Sequence, residues 1–396
     1  MKREGPLPIK AETWDLIQRL VGFDTTSRDS NLGLIEWVRD WLKGQGVDSR
    51  LTYDPSRTKA NLFATIHPGA RPGIVLSGHT DVVPVDGQPW DTDPFKATIR
   101  DERIYGRGSA DMKSYLAAAL ATTPRFLAAD LSSPVHFALS YDEEVGCLGV
   151  RGLIEDLARA GIKPAGCIIG EPTGMQPVVA NKGQRTYTCC FRGREAHSAL
   201  TPQGVNAIEY AAKLVVYIRH MAERMRDCET RDNGFDVPFT TLQTGVIRGG
   251  TAANIVPRDC EVHFEFRYLP GADPEALERE IKSYAERVLE PEMRAVDPAA
   301  YISFETRAEI PGLDPSVERA EQDRVTALAQ ALARNASIAK VAYATEAGLF
   351  QRAGIPSIIC GPGSIGEAHK PNEFVTLEQV ALCESFMARL VDELAR

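Results

Sequence analysis

The sequence predicts an α/β fold in which a mixed sheet is flanked by helices and a second, smaller α+β domain is inserted into the first. Three observations carry this. Four short apolar runs, at 73–81, 135–144, 165–172 and 355–363, are continuous and bounded by Pro or Gly, as expected of strands covered on both faces. Stretches with helical spacing lie between them. In the middle of the chain the pattern changes to half-exposed strands and helices in the order β-α-β-β-α-β, the split βαβ (ferredoxin-like) arrangement.

Taken in order, residues 12–21 and 33–43 space their apolar side chains by three and four and read as amphipathic helices. The strands at 73–81 and 135–144 follow, with a helix over 112–128 between them. The third buried strand, 165–172, precedes an alternating strand at 185–192. A helix over 205–224 places Ile208, Ala211, Ala212, Val215 and Ile218 on one face. Strands at 239–247 and 259–268 flank the Gly249-Gly250 turn. A helix over 274–289 and a strand at 301–308 complete the inserted set. Helices at 315–334 and 377–395 enclose the fourth buried strand. The division expected is a catalytic domain of residues 1–183 and 313–396 and an inserted domain of residues 184–312. Two domains also suit 396 residues at about 150 per domain.

A formal net charge of −9 argues against a nucleic-acid partner, which needs a basic face to meet phosphates. No run approaches the roughly 18–20 apolar residues of a membrane helix, so no membrane partner is expected. The N-terminal stretch has no apolar core followed by a small-residue cleavage site, as an export signal would. The eight cysteines include no CxxC, and the adjacent Cys189-Cys190 would point to opposite faces of a strand. A reduced, cytoplasmic protein is expected.

The chemistry lies where the buried strands end. In open α/β sheets ligands gather at the carboxyl ends of the strands. One run ends in His79-Thr80-Asp81, another in Asp142-Glu143-Glu144 and a third in Glu171-Pro172. A glycine-rich turn places Asp111 at a helix start, and His369 follows the fourth run. Mixed imidazole and carboxylate donors from separate strand ends suit Zn²⁺ or a similar divalent ion. Each signal alone has a plainer explanation. His79 could be a hydrogen-bonded core histidine, Glu143-Glu144 a solvated acidic corner, Asp111 a helix cap and Glu171 a loop carboxylate. Their order is more informative than any one of them.

The motifs SGHTDVVP, WDTDPF, YGRGSADMK, YDEEVG, IIGEPT, GREAHSALTPQGVNAI and GPGSIGEAHKPNEF span essentially the whole chain. In that order they resemble the di-zinc amidohydrolase family of acetylornithine deacetylase, succinyl-diaminopimelate desuccinylase and carboxypeptidase G. The resemblance implies a zinc-peptidase-type catalytic domain with an inserted lid or dimerisation domain at 184–312, and hence a homodimer. It implies two divalent ions, Zn²⁺ with Co²⁺ as the alternative. Asp111 would bridge them, His79 and Glu171 would complete one site, and Glu144 and His369 the other. Asp81 would orient His79, Glu143 would be the general base, and His197 would support the oxyanion from its own or a neighbouring subunit's site. Asn254 and Arg267 match positions that hold the substrate's α-carboxylate. Two departures, Ser114-Tyr115 after Asp-Met-Lys and Asn372 in the Ala-His-x-Pro motif, touch no implied ligand.

Within that family, Thr345-Glu346-Ala347-Gly348 and the motif around His369 are most similar to acetylornithine deacetylase, which implies hydrolysis of N-acetyl-L-ornithine to L-ornithine and acetate in arginine biosynthesis. Glu346 would then meet the substrate's δ-ammonium. A desuccinylase, or a carboxypeptidase or aminoacylase of the same family, is the nearest alternative. An inert metal-binding protein with the lid as its partner surface is a reading of another class. The substrate in the first case is a small N-acyl amino acid.

Overall fold

Residues 8–69 and 71–396 are described in a computed structural model of the chain; the N-terminal stretch read for an export signal lies partly outside them. The chain opens with α1 (Ala11–Val21), α2 (Leu32–Gly44), β1 (Ser49–Tyr53), β2 (Ala60–Ile66), β3 (Ile74–His79), β4 (Thr98–Arg100) and β5 (Arg103–Tyr105). Next come α3 (Lys113–Ala121), α4 (Thr123–Ala128), β6 (Val135–Ser140), α5 (Gly149–Arg159), β7 (Gly166–Pro172) and β8 (Val178–Asn181). The middle contains β9 (Gly183–Arg192), α6 (Ala207–Cys228), β10 (Thr241–Gly249), β11 (Asp259–Tyr268), α7 (Pro274–Tyr284), α8 (Glu290–Val296) and β12 (Tyr301–Ile310). The last elements are α9 (Arg319–Ala333), β13 (Ala339–Val341), α10 (Ala347–Arg352), β14 (Ser357–Gly361), β15 (Phe374–Thr376) and α11 (Leu377–Leu394).

These elements form two units. Among the described residues the larger comprises 8–69, 71–180, 313–340 and 345–396; the smaller comprises 181–312 and 341–344. The chain therefore enters the smaller unit twice, the second time for four residues that lie outside the 184–312 span expected of an insertion.

The larger unit is organised on an eight-stranded mixed sheet ordered β1-β2-β6-β3-β7-β14-β8-β13. β3 runs parallel to both β6 and β7, and β14 runs parallel to β7. Their carboxyl ends consequently share one edge of the sheet. β3, β6, β7 and β14 are buried along their whole length, which is why the sequence shows continuous apolar runs there. Strands β1, β2, β8 and β13 and a small sheet ordered β15-β5-β4 are not among the expected strands; most are short, whereas β2 is a buried seven-residue run between Asp54-Pro55-Ser56 and His67-Pro68-Gly69 whose signals match those of the expected strands.

One helix foreseen over 112–128 is two. Pro124 stands at the start of α4 and cannot donate the N–H that would continue α3. Every side chain of α3 from Lys113 to Leu120 is buried, as expected of a helix enclosed by protein on all sides. Likewise α7 ends at Tyr284, passes through a π turn over Ala285–Leu289 and gives way to α8.

The smaller unit is a four-stranded antiparallel sheet ordered β10-β11-β9-β12, the strand order of the split βαβ sandwich. Burial along β11 alternates almost residue by residue. Its inward side chains Val262, Phe264 and Phe266 pack with Leu214 and Ile218 of α6 and Ile281 of α7. All eight cysteines are free, with Cys189 buried and its neighbour Cys190 half-buried. Among the described residues no helix is long and apolar enough to cross a membrane.

Candidate metal centre

His79 is the last residue of β3, and Glu171 lies near the end of the adjacent, parallel β7. Asp111 sits in the turn before α3. Two glycines let that helix approach the sheet: a Cβ on Gly78 would stand 2.4 Å from Met112 Cε, and one on Gly170 2.0 Å from Tyr115 Cγ. Each glycine immediately precedes a candidate ligand.

The side chains converge. His79 Nε2 donates to Asp111 Oδ1 at 2.9 Å and lies 3.8 Å from Glu171 Oε1. His369 Nε2 lies 3.0 Å from Glu144 Oε2 and 3.4 Å from Asp111 Oδ2. Asp111 thus faces one imidazole with each oxygen. One donor atom each from His79, Asp111 and Glu144 fall within 4.8 Å of one another, as do one each from His79, Glu143 and Glu171. Glu143, foreseen as a base, therefore lies within the donor cluster itself.

Asp81 does more than was foreseen. His79 Nδ1 donates to the main-chain oxygen of Asp81 at 2.9 Å, while the Asp81 carboxylate stands 3.6 Å away. That carboxylate accepts the backbone N–H groups of Glu143 at 3.1 Å and Glu144 at 3.3 Å, and the Ser27 hydroxyl at 2.7 Å. It anchors the turn that carries both glutamates.

The electrostatics follow from burial and crowding. Burial pushes the Glu143 carboxyl well above its ordinary range, and Glu144, Glu346 and Asp111 add to the push against the pull of His79. Burial and Asp111 do the same to Glu171. Burial and Asp111 raise Glu144 to about 7. Burial would raise Asp111 as well, but hydrogen bonds from His369 and His79 outweigh it and hold the carboxyl below the ordinary range. Hydrogen bonds to Asp111 and Glu144 raise His369 to about 10. A cluster in which carboxylates raise one another and imidazoles retain protons favours added positive charge. Glu171 Oε1 is buried without a hydrogen-bond partner, which costs free energy unless a cation meets it. The donors present therefore fit divalent ions bound by imidazole and carboxylate.

Glu346, at the start of α10, is 1% exposed; its Oε2 accepts a long bond from Ser77 at 3.5 Å and its Oε1 has no partner. Burial lifts its carboxyl to about 7. The remaining candidates lie in the smaller unit. His197 is exposed and its Nδ1 accepts the Ala199 N–H at 3.1 Å. Its backbone forms a bridge with Ile255, and Ser198 N donates to Asn254 O, so His197 and Asn254 are close in that unit. Arg267 on β11 donates to Glu265 Oε1 at 3.2 Å.

Two residues around the centre were missed, Arg107 and Glu373. Both sit inside the quoted motifs, but neither type nor spacing distinguishes them from turn residues. The structure shows a buried ion pair, with Arg107 Nη1 2.6 Å from Glu373 Oε2 and both side chains 1% exposed.

A mixed sheet with imidazole and carboxylate donors gathered beside its parallel strand ends defines a candidate divalent-metal centre. The comparisons with known proteins agree. The chain belongs to peptidase family M20/M25/M40, whose sequence pattern matches residues 75–393. It is 35% identical to an acetylornithine deacetylase of Myxococcus xanthus over 95% of both chains, and 32% identical to one of Pasteurella multocida over 92% of this chain and 91% of that one. Its fold is similar to an M20-family metallo-carboxypeptidase of Sulfolobus solfataricus, with a TM-score of 0.76 at 18% identity over 98% and 99% of the two chains. A Staphylococcus aureus tripeptidase gives 0.75 at 21% identity over 99% and 100%.

Proposed function

We propose that this hydrolase removes the acyl group from a small N-acyl amino acid, and that its substrate is N-acetyl-L-ornithine, cleaved to L-ornithine and acetate. The observation that carries the reaction class is the convergence of His79, Asp111, Glu143, Glu144 and Glu171, with the more exposed His369 at their side, on one proton-holding cluster. Relatives of 31–35% identity that are named acetylornithine deacetylase support the substrate.

In this reading Asp111 would serve both ions, His79 and Glu171 would help hold one, and Glu144 and His369 the other. Zinc is the proposed metal and cobalt its substitute. When bound, two such ions polarise the amide carbonyl and bring the pKa of water toward neutrality. The chain's own residues do the rest. Glu143 takes a proton from the attacking water. The water oxygen adds to the amide carbonyl, the C–N bond breaks, and Glu143 passes the proton to the departing amine. His197 is proposed to steady the negative charge on the carbonyl oxygen. Asn254 and Arg267 are proposed to hold the α-carboxylate. The unpartnered Glu346 Oε1 supports a role as counter-charge to the δ-ammonium. A homodimer formed through residues 184–312 and a cytoplasmic location belong to the same proposal.

An amine-release assay with zinc- or cobalt-loaded protein tests it. N-acetyl-L-ornithine should give the highest kcat/KM among N-acetyl-L-ornithine, N-succinyl-diaminopimelate and simple N-acyl amino acids. A higher value for another substrate would move the assignment to that branch of the family. Absence of turnover by protein carrying both ions would favour the inert metal-binding reading. Glu346→Gln should raise KM for N-acetyl-L-ornithine selectively.

A further inference from the structure

Of the five proposed ligands, His79 and Glu171 lie within the ladders of β3 and β7, and Glu144 follows a turn anchored by Asp81. Asp111 and His369 have no such support. Each lies in a turn outside the eight-stranded sheet, and His369 has a left-handed backbone (φ 62°). Their separation depends on what ties one turn to the other.

Glu373 makes that tie. Its Oε1 accepts the backbone N–H of Ala110 at 2.9 Å and of Asp111 itself at 3.1 Å. Its Oε2 accepts Arg107 Nη1 at 2.6 Å, and its main-chain oxygen accepts the Gly106 N–H at 3.0 Å. One residue, four positions beyond His369, thereby grips both ends of the turn that presents Asp111. Arg107 extends the grip: Nη2 donates to Gln88 Oε1 at 2.7 Å, and Gln88 Nε2 donates to the main-chain oxygen of His369 at 3.0 Å. A buried ion pair is weak evidence of stability, because desolvation offsets most of its attraction. Apolar residues could fill the same space, but they could not accept two backbone N–H groups beside a bridging carboxylate.

We propose that Glu373, paired with Arg107, is a positioning residue for the second metal ion, holding Asp111 and His369 at the separation that ion requires. The inference rests on the proposed assignment of Asp111, Glu144 and His369 as its ligands. Glu373→Gln is the informative substitution. A carboxylate accepts at both oxygens, whereas an amide accepts at one end and donates at the other. Whichever way the amide turns, it sets a donor against either Arg107 or the two backbone N–H groups.

The test is uptake of Co²⁺ alone by the metal-free full-length protein, followed by equilibrium dialysis and by the visible absorption of the bound ion. Thermal melting of the metal-free forms serves as the folding control. The unaltered protein should bind two equivalents. Glu373→Gln should bind the first with only a small loss of affinity, since Asp111 serves both ions, and the second, which also depends on His369, about tenfold to a hundredfold more weakly, the range usual for residues that orient metal ligands. Arg107→Lys, which keeps a charge on Glu373 but cannot also span to Gln88, should weaken the same second equivalent to a smaller degree, and it decides the matter if Glu373→Gln does not fold. Second-equivalent binding unchanged in the folded variants would overturn the proposal, as would an equal loss of both equivalents. An unaltered protein that binds fewer than two ions would overturn the underlying ligand assignment, and this proposal with it.

Discussion

The ring of Tyr115 lies directly over Gly170, so that a Cβ on the glycine would stand 2.0 Å from Tyr115 Cγ. The Tyr115 hydroxyl donates to the Ile168 carbonyl at 3.1 Å, and the side chain is 1% exposed. This contact seats α3 on β7.

Gly170→Ala should therefore destabilise the protein by about 1–3 kcal/mol or more, because the new methyl must displace a ring in a filled core. Urea unfolding followed by circular dichroism would show a lower midpoint. An unchanged midpoint would mean that Tyr115 moves aside at no cost.

Glu143→Gln should keep both ions and lose turnover. Loss of a general base lowers rates by about 10²- to 10⁴-fold. The check is kcat measured beside metal content on the same preparation. Near-normal kcat with full metal would remove Glu143 from the role of base.

Chelation should lower the melting temperature, because an ion that binds only the native state stabilises it by mass action. Free ion at about a hundred times its Kd contributes roughly 2.7 kcal/mol per site. Differential scanning calorimetry with EDTA, then with graded zinc, should show the melting temperature fall and recover. A melting temperature indifferent to zinc would contradict a metal site at this cluster.

His136 should govern part of the acid sensitivity. It is 5% exposed, stacked on Phe63 and bonded through Nδ1 to Thr65 Oγ1 at 2.9 Å; burial pulls it down to about 4. Its folded pKa lies below its unfolded value, so the unfolded chain binds the extra proton between about pH 6.5 and 4. Stability is complete above that window and falls through it by about 3 kcal/mol, at 1.36 kcal/mol per unit. His136→Gln should flatten the dependence of unfolding free energy on pH within the window. Equal slopes for both proteins would refute the assignment.

The four buried strands were legible because burial on both faces leaves an uninterrupted apolar run, and three of the runs stop where a polar donor begins. His79 and Glu171 could thus be placed from sequence. The paired contacts around them could not. Asp81 presents a main-chain oxygen to His79 and its carboxylate to the turn at Glu143, a division that residue type does not reveal. Glu373 acts on a turn 262 positions earlier in the chain, and only folding brings the two together. The break between α3 and α4 is legible in principle from Pro124, although the apolar pattern runs through it.

The sheet order places β14 between β7 and β8, although the chain between β8 and β14 includes nearly the whole smaller unit. A ribosome emitting this protein therefore releases β7 long before its neighbour. Until residues 357–361 emerge, one edge of β7 is an unpaired apolar strand, the kind of surface that chaperones cover and that aggregates form upon. His369 follows β14, so the proposed second ion can find its full set of ligands only after the strand that covers that edge has emerged. Metal loading at that position becomes a late event in the synthesis of each molecule.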